Sequence, residues 1–228
     1  MSNASSEAAG RLYRIMDFSR VVQVFEKNEL YFAHPSTWDD PYEQRVLHQN
    51  SHALFAQCWC SLGVSDAMWR IYSPHHMGVR IATSTRKLRL AIRSKAEARG
   101  YKSALSAVRY LSQHNLEREA RVIAKSLESD FKMSEAVQLL YMKREAFQHE
   151  SEWRATVFCP REDPHDPKKG IAIEVEPHKL IDNILLDPRA PQELVDAFQY
   201  YFKEKLGFRK KVRRSVLYKT PRRIEIVD

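Results

Sequence analysis

Residues 149–159 read HESEWRATVFC, and this stretch decides the predicted fold class. The segment 153–159 is apolar and partly β-branched, which is typical of a buried strand. It follows residues 85–147, in which apolar side chains recur at helical spacing. Because strands are predicted before and after this helical insertion, and do not alternate with single helices, the sequence predicts an α+β fold.

The remaining pattern predicts a single mixed or antiparallel sheet of about six or seven strands. They are expected at residues 11–16, 29–33, 51–60, 78–84, 153–159, 171–175 and 212–218. Helices are expected at residues 18–28, 65–72 and 191–206, the second with Ser65 as its N-cap. We expect a disordered N-terminus over residues 1–10 and one domain over residues 11–228, with the helical insertion at about 85–147.

The charge of the chain is concentrated near its C-terminus. The 228 residues carry a formal net charge of +8, and residues 201–228 contain ten lysines and arginines but three acidic residues. This excess predicts an anionic partner, a nucleotide or a nucleic acid, although such a run is also typical of a solvated surface. A hydrophobic fraction of 43% excludes a generally disordered chain.

Several protein classes are disfavoured by what the sequence lacks. No apolar run approaches the roughly 18–20 residues of a membrane span, so we expect a cytoplasmic protein. A Walker-type phosphate loop, a glycine-rich dinucleotide fingerprint and a Gly-x-Ser-x-Gly elbow are all missing. Cys58, Cys60 and Cys159 are expected to be buried free thiols, with zinc binding as the alternative.

Two carboxylates in the proline-flanked segment 35–43 are candidate catalytic residues. Asp40 and Glu43 lie beside an aromatic residue on a stiff loop, where they would supply metal-binding or general-base oxygen. Alternatively, the aspartates of this segment cap the turn and Glu43 forms an ion pair.

A second candidate catalytic group lies at the entry to the strand quoted above. Alternation along a strand would place Glu150, Glu152 and Arg154 on one face. One carboxylate would then have a raised pKa while the arginine keeps the other ionised, as in an acid/base pair. The alternative is an exposed strand edge with a surface ion pair.

Arg14, Trp69 and Tyr72 are candidate ligand-binding residues, together with Arg154. Arg14 interrupts an apolar strand and needs an anion, either a phosphate or a carboxylate of the chain. Trp69 and Tyr72 have the spacing of core residues on a short helix, but at a pocket wall either ring would stack on a flat heterocycle.

Several short motifs follow one another in a fixed order along the chain. They are Leu12-Tyr13-Arg14, Leu30-Tyr31-Phe32, Asp39-Asp40-Pro41-Tyr42-Glu43, Met68-Trp69, Gly78-Val79-Arg80-Ile81 and Glu150–Arg154. Their order resembles the DUF2971 family, whose function is unassigned. The resemblance covers about residues 11–218 and implies the family's fold more than an activity. Asp39 stands where the family usually has asparagine, and Ser73 where it has alanine.

A first-strand arginine, a middle aromatic residue with a Ser-Thr pair, and a later Glu-x-Glu also resemble the ADP-ribosyltransferases. This resemblance implies that Arg14 binds the pyrophosphate of NAD and that Trp69 or Tyr72 stacks on nicotinamide. Glu152 would bond the ribose 2′-OH and stabilise the oxocarbenium-like charge, while Glu150 orients or deprotonates the acceptor. The cofactor that it implies is NAD, in the role of substrate.

Three functions remain as hypotheses. The first is an NAD-using ADP-ribosyltransferase-like enzyme, such as a toxin or phage-defence effector. The second is a nucleic-acid-binding protein or nuclease in which carboxylates such as Asp40 and Glu152 hold Mg²⁺. The third is a non-catalytic binding module. Either enzyme requires one cleft that contains Arg14, Asp40, Glu43, Trp69, Glu150, Glu152 and Arg154.

Overall fold

The computed structural model describes residues 10–43, 48, 50–160, 165 and 168–222. Residues 1–9, which make up most of the segment expected to be disordered, lie outside these ranges. Within them the chain forms eleven strands and seven α-helices, and the predicted α+β class is confirmed. None of the helices in the described ranges combines the length and apolarity needed to cross a membrane.

Strands and helices succeed one another along the chain without strict alternation. The strands are β1 (Arg11–Asp17), β2 (Glu29–Ala33), β3 (Leu54–Cys60), β4 (Gly78–Ser84), β5 (Lys102–Ala107), β6 (Arg109–Leu111), β7 (Met142–Arg144), β8 (Glu152–Phe158), β9 (Gly170–Glu174), β10 (Asn183–Leu186) and β11 (Lys211–Arg214). The helices are α1 (Phe18–Lys27), α2 (Asp66–Tyr72), α3 (Thr85–Ala98), α4 (Gln113–Ser129), α5 (Met133–Leu139), α6 (Pro177–Leu180) and α7 (Gln192–Tyr200).

Nine strands form one mixed sheet, and β6 and β7 form a separate parallel pair. The main order is β11-β10-β4-β1-β3-β2-β9, with β8 and then β5 attached to β3. All pairs in this sheet are antiparallel except β10 with β11. The sheet is therefore mixed, one of the two forms that the sequence predicted.

The main apolar cluster joins helices α1, α3 and α7 to the sheet. In α1, Val21 and Val24 recur at helical spacing and are buried, at roughly 1.5–3 kcal/mol for each buried side chain. Phe18 at the start of α1 stacks on Phe198 of α7, with ring centroids 3.9 Å apart. A second cluster joins α4 and α5 to the ends of β3 and β8.

Strand β3 is a branch point of the sheet. One edge pairs along its length with β8, from Leu54 opposite Phe158 to Cys60 opposite Glu152. The other edge is divided, because β1 pairs at Cys60 and β2 pairs at Ala56. No described strand pairs with residues 57–59 on that edge. β1 and β2 therefore diverge from one edge of β3, next to Cys58.

Several predicted elements differ from the observed ones. The segment 85–147 contains three helices, as expected, but also β5, which pairs with β8, and the β6–β7 pair. β5 reads Lys-Ser-Ala-Leu-Ser-Ala, and with Leu105 as its single large apolar residue it gives no strand signal. The structure also adds β10, in a segment where no strand was predicted, so the strands outnumber the six or seven predicted.

The C-terminal elements end earlier than predicted. The last strand ends at Arg214, and Val216, which lies inside the predicted strand 212–218, is 58% exposed. The preceding helix ends at Tyr200 and continues as a π-helical turn over Tyr201–Lys205. Gly207, the residue after the predicted helix 191–206, has a left-handed φ of 64°. The strands at 29–33 and 78–84 have the predicted bounds.

Candidate functional site

A pocket lies beside the branch point and is lined by residues of β1, β3, β4, α2 and the start of β8. It encloses a cavity of about 160 Å³. Its walls include five of the eight predicted site residues, namely Arg14, Trp69, Tyr72, Glu150 and Glu152. The other three, Asp40, Glu43 and Arg154, lie behind Glu152 in a network of ion pairs. The predicted convergence on one cleft is therefore met in part.

Arg14 presents an unpaired guanidinium nitrogen at this pocket. Its Nη1 atom is buried, and no described residue accepts a hydrogen bond from it. Burial lowers the pKa of Arg14, and the nearby Cys58 and Tyr72 partly oppose this effect. Burial raises the pKa values of Cys58 and Tyr72 themselves. An unmet buried donor costs on the order of 1–3 kcal/mol. The arrangement is therefore suited to receive an anion.

Helix α2 supplies the aromatic wall of the pocket. Ser65 is the N-cap, as predicted, and its Oγ accepts a hydrogen bond of 3.3 Å from the Met68 amide. Trp69 is only 2% exposed and packs under the helix, whereas Tyr72 is 42% exposed. Tyr72 is therefore the more accessible ring for a stacking ligand.

A buried ion pair fixes the C-terminal end of α2. Arg189 Nη2 donates to the carbonyl oxygens of Trp69, at 3.0 Å, and Ser73, at 2.8 Å. The same nitrogen lies 2.8 Å from the carboxylate of Asp187, which is fully buried. Burial raises the pKa of Asp187, but hydrogen bonds from Arg189 and Ser73 outweigh burial and lower it. The pair therefore holds the aromatic wall in position.

Glu150 and Glu152 meet through Lys143 of β7. Lys143 Nζ lies 2.6 Å from Glu150 Oε2 and 3.4 Å from Glu152 Oε2. The strand alternation used to place Glu150 beside Glu152 does not apply to Glu150, because Ser151 has a left-handed φ of 43° and β8 starts at Glu152. Burial alone would lower the pKa of Lys143, but the surrounding carboxylates raise it overall. The lysine therefore remains charged and joins the two glutamates.

Arg154 orients Glu152 and does not line the pocket. Its Nε and Nη2 atoms each donate to a Glu152 carboxylate oxygen at 2.8 Å. Nη1 donates to the Leu140 carbonyl, and Nη2 also donates to Glu43. Every nitrogen of this 1% exposed side chain thus has an acceptor in the protein. This placement does not support the predicted role of Arg154 in ligand binding and makes it a positioning residue instead.

Glu152 is kept ionised by its neighbours. Burial raises the pKa of Glu152, but the hydrogen bonds and charge of Arg154, together with Lys143, outweigh burial and lower it. The backbone N–H of Glu152 donates to the Tyr110 hydroxyl at 2.7 Å. The strand start is therefore fixed by both side chain and backbone, with a charged carboxylate in the pocket wall.

Asp40 and Glu43 lie on the far side of Arg154. Asp40 Oδ1 accepts hydrogen bonds of 3.0 Å from the Tyr42 amide and from Arg144 Nη2, which agrees with the turn-capping alternative. Glu43 pairs with Arg154, yet burial raises its pKa more than the arginine lowers it. Neither residue lines the pocket that contains Arg14. Their geometry fits a structural role better than the predicted catalytic one.

The three cysteines are free, and Cys58 lies in the pocket wall. Burial is the largest cause that raises the pKa of Cys58, so the group stays a thiol and donates a hydrogen bond to Glu152. Within the ranges that the structure describes, no three His, Cys, Asp or Glu side chains are grouped to hold a metal ion.

Sequence reasoning did not single out Lys143, Tyr110 or Arg80. A helical pattern over 85–147 gives no reason to place Lys143 or Tyr110 beside Glu152, since that contact depends on the β6–β7 pair. Arg80 alternates with the buried residues Val79 and Ile81. The sequence signal that could have identified Arg80 is an arginine inside an apolar strand, the same signal that pointed to Arg14.

The fold and the pocket define an α+β protein with a buried arginine, an aromatic wall and an ionised glutamate in one site. A family model described as "Protein of unknown function (DUF2971)" matches residues 68–155, which confirms the predicted resemblance to that family. The match extends from α2 into β8 and includes both glutamates of the pocket. No curated protein matches the sequence.

Three solved structures of DarT from Thermus sp. 2.9 align with this chain. They are its complexes with NAD+ (TM-score 0.43), with carba-NAD+ (0.42) and with ADP-ribosylated ssDNA (0.43). Each is 12% identical to this chain, and each alignment covers 91% of it and 94% to 96% of the DarT chain.

Proposed function

We propose that the protein is an ADP-ribosyltransferase-like enzyme with NAD+ as its substrate. The observation that carries this proposal is the buried, unpaired Nη1 atom of Arg14 in the same pocket as the ionised Glu152. An arginine fits a pyrophosphate, and a carboxylate fits a sugar hydroxyl beside a developing positive charge. NAD+ combines these groups with a flat ring suited to Tyr72.

The pocket residues have distinct roles in binding. A pyrophosphate at Arg14 would supply the acceptor that its buried nitrogen lacks. Tyr72 offers a partly exposed ring for the nicotinamide, and Trp69 backs it from the core. Arg189 holds both aromatic residues through the end of α2. These contacts bind and orient the substrate without contributing to the chemical step.

The chemical step moves ADP-ribose from nicotinamide to an acceptor. The bond between the nicotinamide nitrogen and the ribose C1′ breaks, and its electron pair leaves with nicotinamide. Glu152 stabilises the positive charge that develops on the ribose, an effect typically worth about 10²–10³ in rate. The acceptor forms the new bond to C1′ and gives its proton to Glu150, which Lys143 keeps in place.

The alternative hypotheses have less support. Asp40, Glu43 and Glu152 are each paired with an arginine, so a Mg²⁺-dependent nuclease would first have to displace these guanidinium groups. A non-catalytic module accounts for Asp40 and Glu43, but it gives no reason for the unpaired nitrogen of Arg14. A role as a toxin or phage-defence effector stays a prediction.

Release of nicotinamide from NAD+ tests the proposal directly. We expect the purified protein to release nicotinamide, measured by chromatography, and Glu152→Gln to lower the initial rate by about 10²–10³-fold. The affinity for NAD+, measured by calorimetry, should change little, because Arg14 and Tyr72 remain. Circular dichroism checks that the variant is folded.

Glu174→Gln is the matched control. Glu174 lies on β9 in an exposed ion pair with Lys95, so its loss should leave the rate unchanged. An absence of NAD+ binding at millimolar concentration would overturn the proposal, and so would a Glu152→Gln variant as active as the wild type.

A further inference from the structure

Arg80 of β4 is a second arginine in the wall of the pocket, and it has an unused hydrogen-bond donor. It is 9% exposed, and its Nε atom is buried without an acceptor among the described residues. Its Nη1 atom donates to the Gly63 carbonyl, and its Cζ atom lies 4.5 Å from the centroid of the Tyr13 ring. These contacts fix the guanidinium group without neutralising its charge. Arg80, like Arg14, is therefore suited to receive an anion.

Arg80 and Arg14 lie beside different groups of the pocket. Burial lowers the pKa of Arg14, and Cys58 is the largest opposing cause. Burial also lowers the pKa of Arg80, and Tyr13 and then Cys60 oppose it. Cys58 and Cys60 are two residues apart on β3, which is about 6–7 Å along a strand. The two phosphates of one pyrophosphate share a bridging oxygen and lie closer together than that, so Arg80 is placed for a separate anionic group.

The strand order places Arg80 on the far side of Arg14 from Glu152. Glu152 of β8 pairs with Cys60 of β3, and Cys60 pairs with Tyr13 of β1, which lies beside β4. β8 and β4 are thus three strand spacings apart, about 14 Å, with β1 between them. Across the pocket the order of these side chains is therefore Glu152, Arg14 and Arg80.

Arg213 of β11 adds a second cation beside Arg80. Leu185 of β10 pairs with both arginines, and paired residues point to one face of the sheet. Burial is the largest cause that lowers the pKa of Arg80, and the exposed Arg213 lowers it further. A phosphate monoester carries almost two negative charges at neutral pH, so it fits a pair of arginines.

Two carboxylates on the same face leave Arg80 unoccupied. Glu152 accepts hydrogen bonds from Arg154 and Lys143. Asp17 lies at the end of β1, two residues from the residue that pairs with Arg80, but it does not accept from the Nε atom of Arg80. In dinucleotide-binding folds a carboxylate binds the ribose 2′-OH of NAD+, whereas an arginine accommodates the 2′-phosphate of NADP+. The surroundings of Arg80 match the second case.

We infer that the pocket binds NADP+ in preference to NAD+, with the 2′-phosphate at Arg80 and Arg213. This inference rests on the proposed function and names the dinucleotide that is the better substrate. The 2′-phosphate belongs to the adenosine ribose, beyond the pyrophosphate as seen from the nicotinamide ribose, which matches the order Glu152, Arg14 and Arg80. The bond between the nicotinamide nitrogen and C1′ breaks as before, and its electron pair leaves with nicotinamide. The acceptor then receives 2′-phospho-ADP-ribose and gives its proton to Glu150.

Calorimetry with NADP+ and NAD+ tests the inference. The wild type should bind NADP+ about 10–100-fold more tightly than NAD+, as expected for one charge-assisted hydrogen bond to the 2′-phosphate. Arg80→Met should bind the two dinucleotides with similar affinity, and its affinity for NAD+ should equal that of the wild type. Circular dichroism checks that this variant is folded.

Arg213→Ala tests the same site without changing a buried side chain. Because Arg213 is exposed, its loss should lower the preference for NADP+ by about 2–5-fold. Arg209→Ala is the matched control, since Arg209 is also exposed but precedes β11, and this variant should keep the full preference. Equal affinity of the wild type for both dinucleotides would overturn the inference. An Arg80→Met variant that loses affinity for both equally would also overturn it, because Arg80 would then serve the pyrophosphate.

Adenosine 2′,5′-bisphosphate and 5′-AMP separate this inference from the proposed function. The two compounds differ only in the 2′-phosphate, and neither contains nicotinamide, so their binding does not depend on catalysis. A protein that prefers the bisphosphate through Arg80 but releases no nicotinamide from either dinucleotide keeps the 2′-phosphate site and loses the proposed function. A protein that releases nicotinamide from NAD+ but binds both adenosine compounds equally keeps the proposed function and loses this inference.

Discussion

Arg14→Met should stabilise the protein while it abolishes ligand binding. The Nη1 atom of Arg14 is buried without an acceptor, and removal of an unmet buried donor returns about 1–3 kcal/mol. Methionine has a similar length, fills the space with apolar atoms and adapts its rotamers readily. For a chain of this size, the expected rise in Tm is about 2–12 °C.

Urea unfolding followed by tryptophan fluorescence measures the free energy of unfolding of both proteins. NAD+ should raise the Tm of the wild type, because it binds the folded state, and should not raise that of Arg14→Met. Arg154→Met is the control for losing a buried arginine. It leaves Glu43 buried without its partner and Glu152 with Lys143 alone, and it should destabilise the fold by about 3–5 kcal/mol.

The two arginines therefore give opposite expectations. If Arg14→Met unfolds at a lower urea concentration than the wild type, Arg14 stabilises the fold. Its unpaired nitrogen then carries no net cost to the free energy of folding. If Arg14→Met is more stable but still binds NAD+ with unchanged affinity, the anion site lies elsewhere.

Two further predictions concern the Asp187–Arg189 ion pair at the end of α2 and the titration of Glu152 and Glu43. Arg189→Met leaves Asp187 buried without its ion-pair partner, so urea unfolding should show a free energy of unfolding lower by about 3–5 kcal/mol. NAD+ binding, measured by calorimetry, should be weaker. A variant as stable as the wild type would contradict the role of this ion pair. Because its folded pKa is lowered, Glu152 contributes stability above its unfolded pKa of about 4.3 that is lost as pH falls through the folded pKa. Glu43, with a raised pKa, costs stability as pH rises from its unfolded pKa of about 4.3 to its folded pKa. The stability difference of Glu152→Gln from the wild type should therefore change below about pH 4.3 and that of Glu43→Gln above it, in opposite directions; parallel trends would contradict the assigned shifts.

The sequence predicted strands whose apolar pattern is strong and whose ends carry turn residues. β4 is bounded by Gly78 and by Ser84, which caps the next helix, and its limits agree with the prediction. β5 lacks such a pattern and is a strand because it pairs with β8, which lies some fifty residues later. Pairing of this kind overrides local propensity, so no local reading of β5 would identify it.

The site residues also differ in whether a local sequence pattern or a contact between distant segments places them. A polar residue in an apolar strand pointed to Arg14, and alternation placed Glu152 and Arg154 together. The contact of Lys143 with both glutamates depends on the β6–β7 pair, which sequence periodicity did not show. The role of Arg154 changed because two of its acceptors, Glu43 and the Leu140 carbonyl, lie on other segments of the chain and occupy its remaining donors.

The branch at β3 also determines when the pocket forms during synthesis. β8 follows β3 by about a hundred residues, so Arg14 and Cys58 leave the ribosome long before Glu152. Contacts between such distant segments form late in folding. A nascent or truncated chain that ends before Glu150 contains Arg14 but neither glutamate of the pocket. Under the proposed function, a chain that ends before Glu150 is therefore inactive.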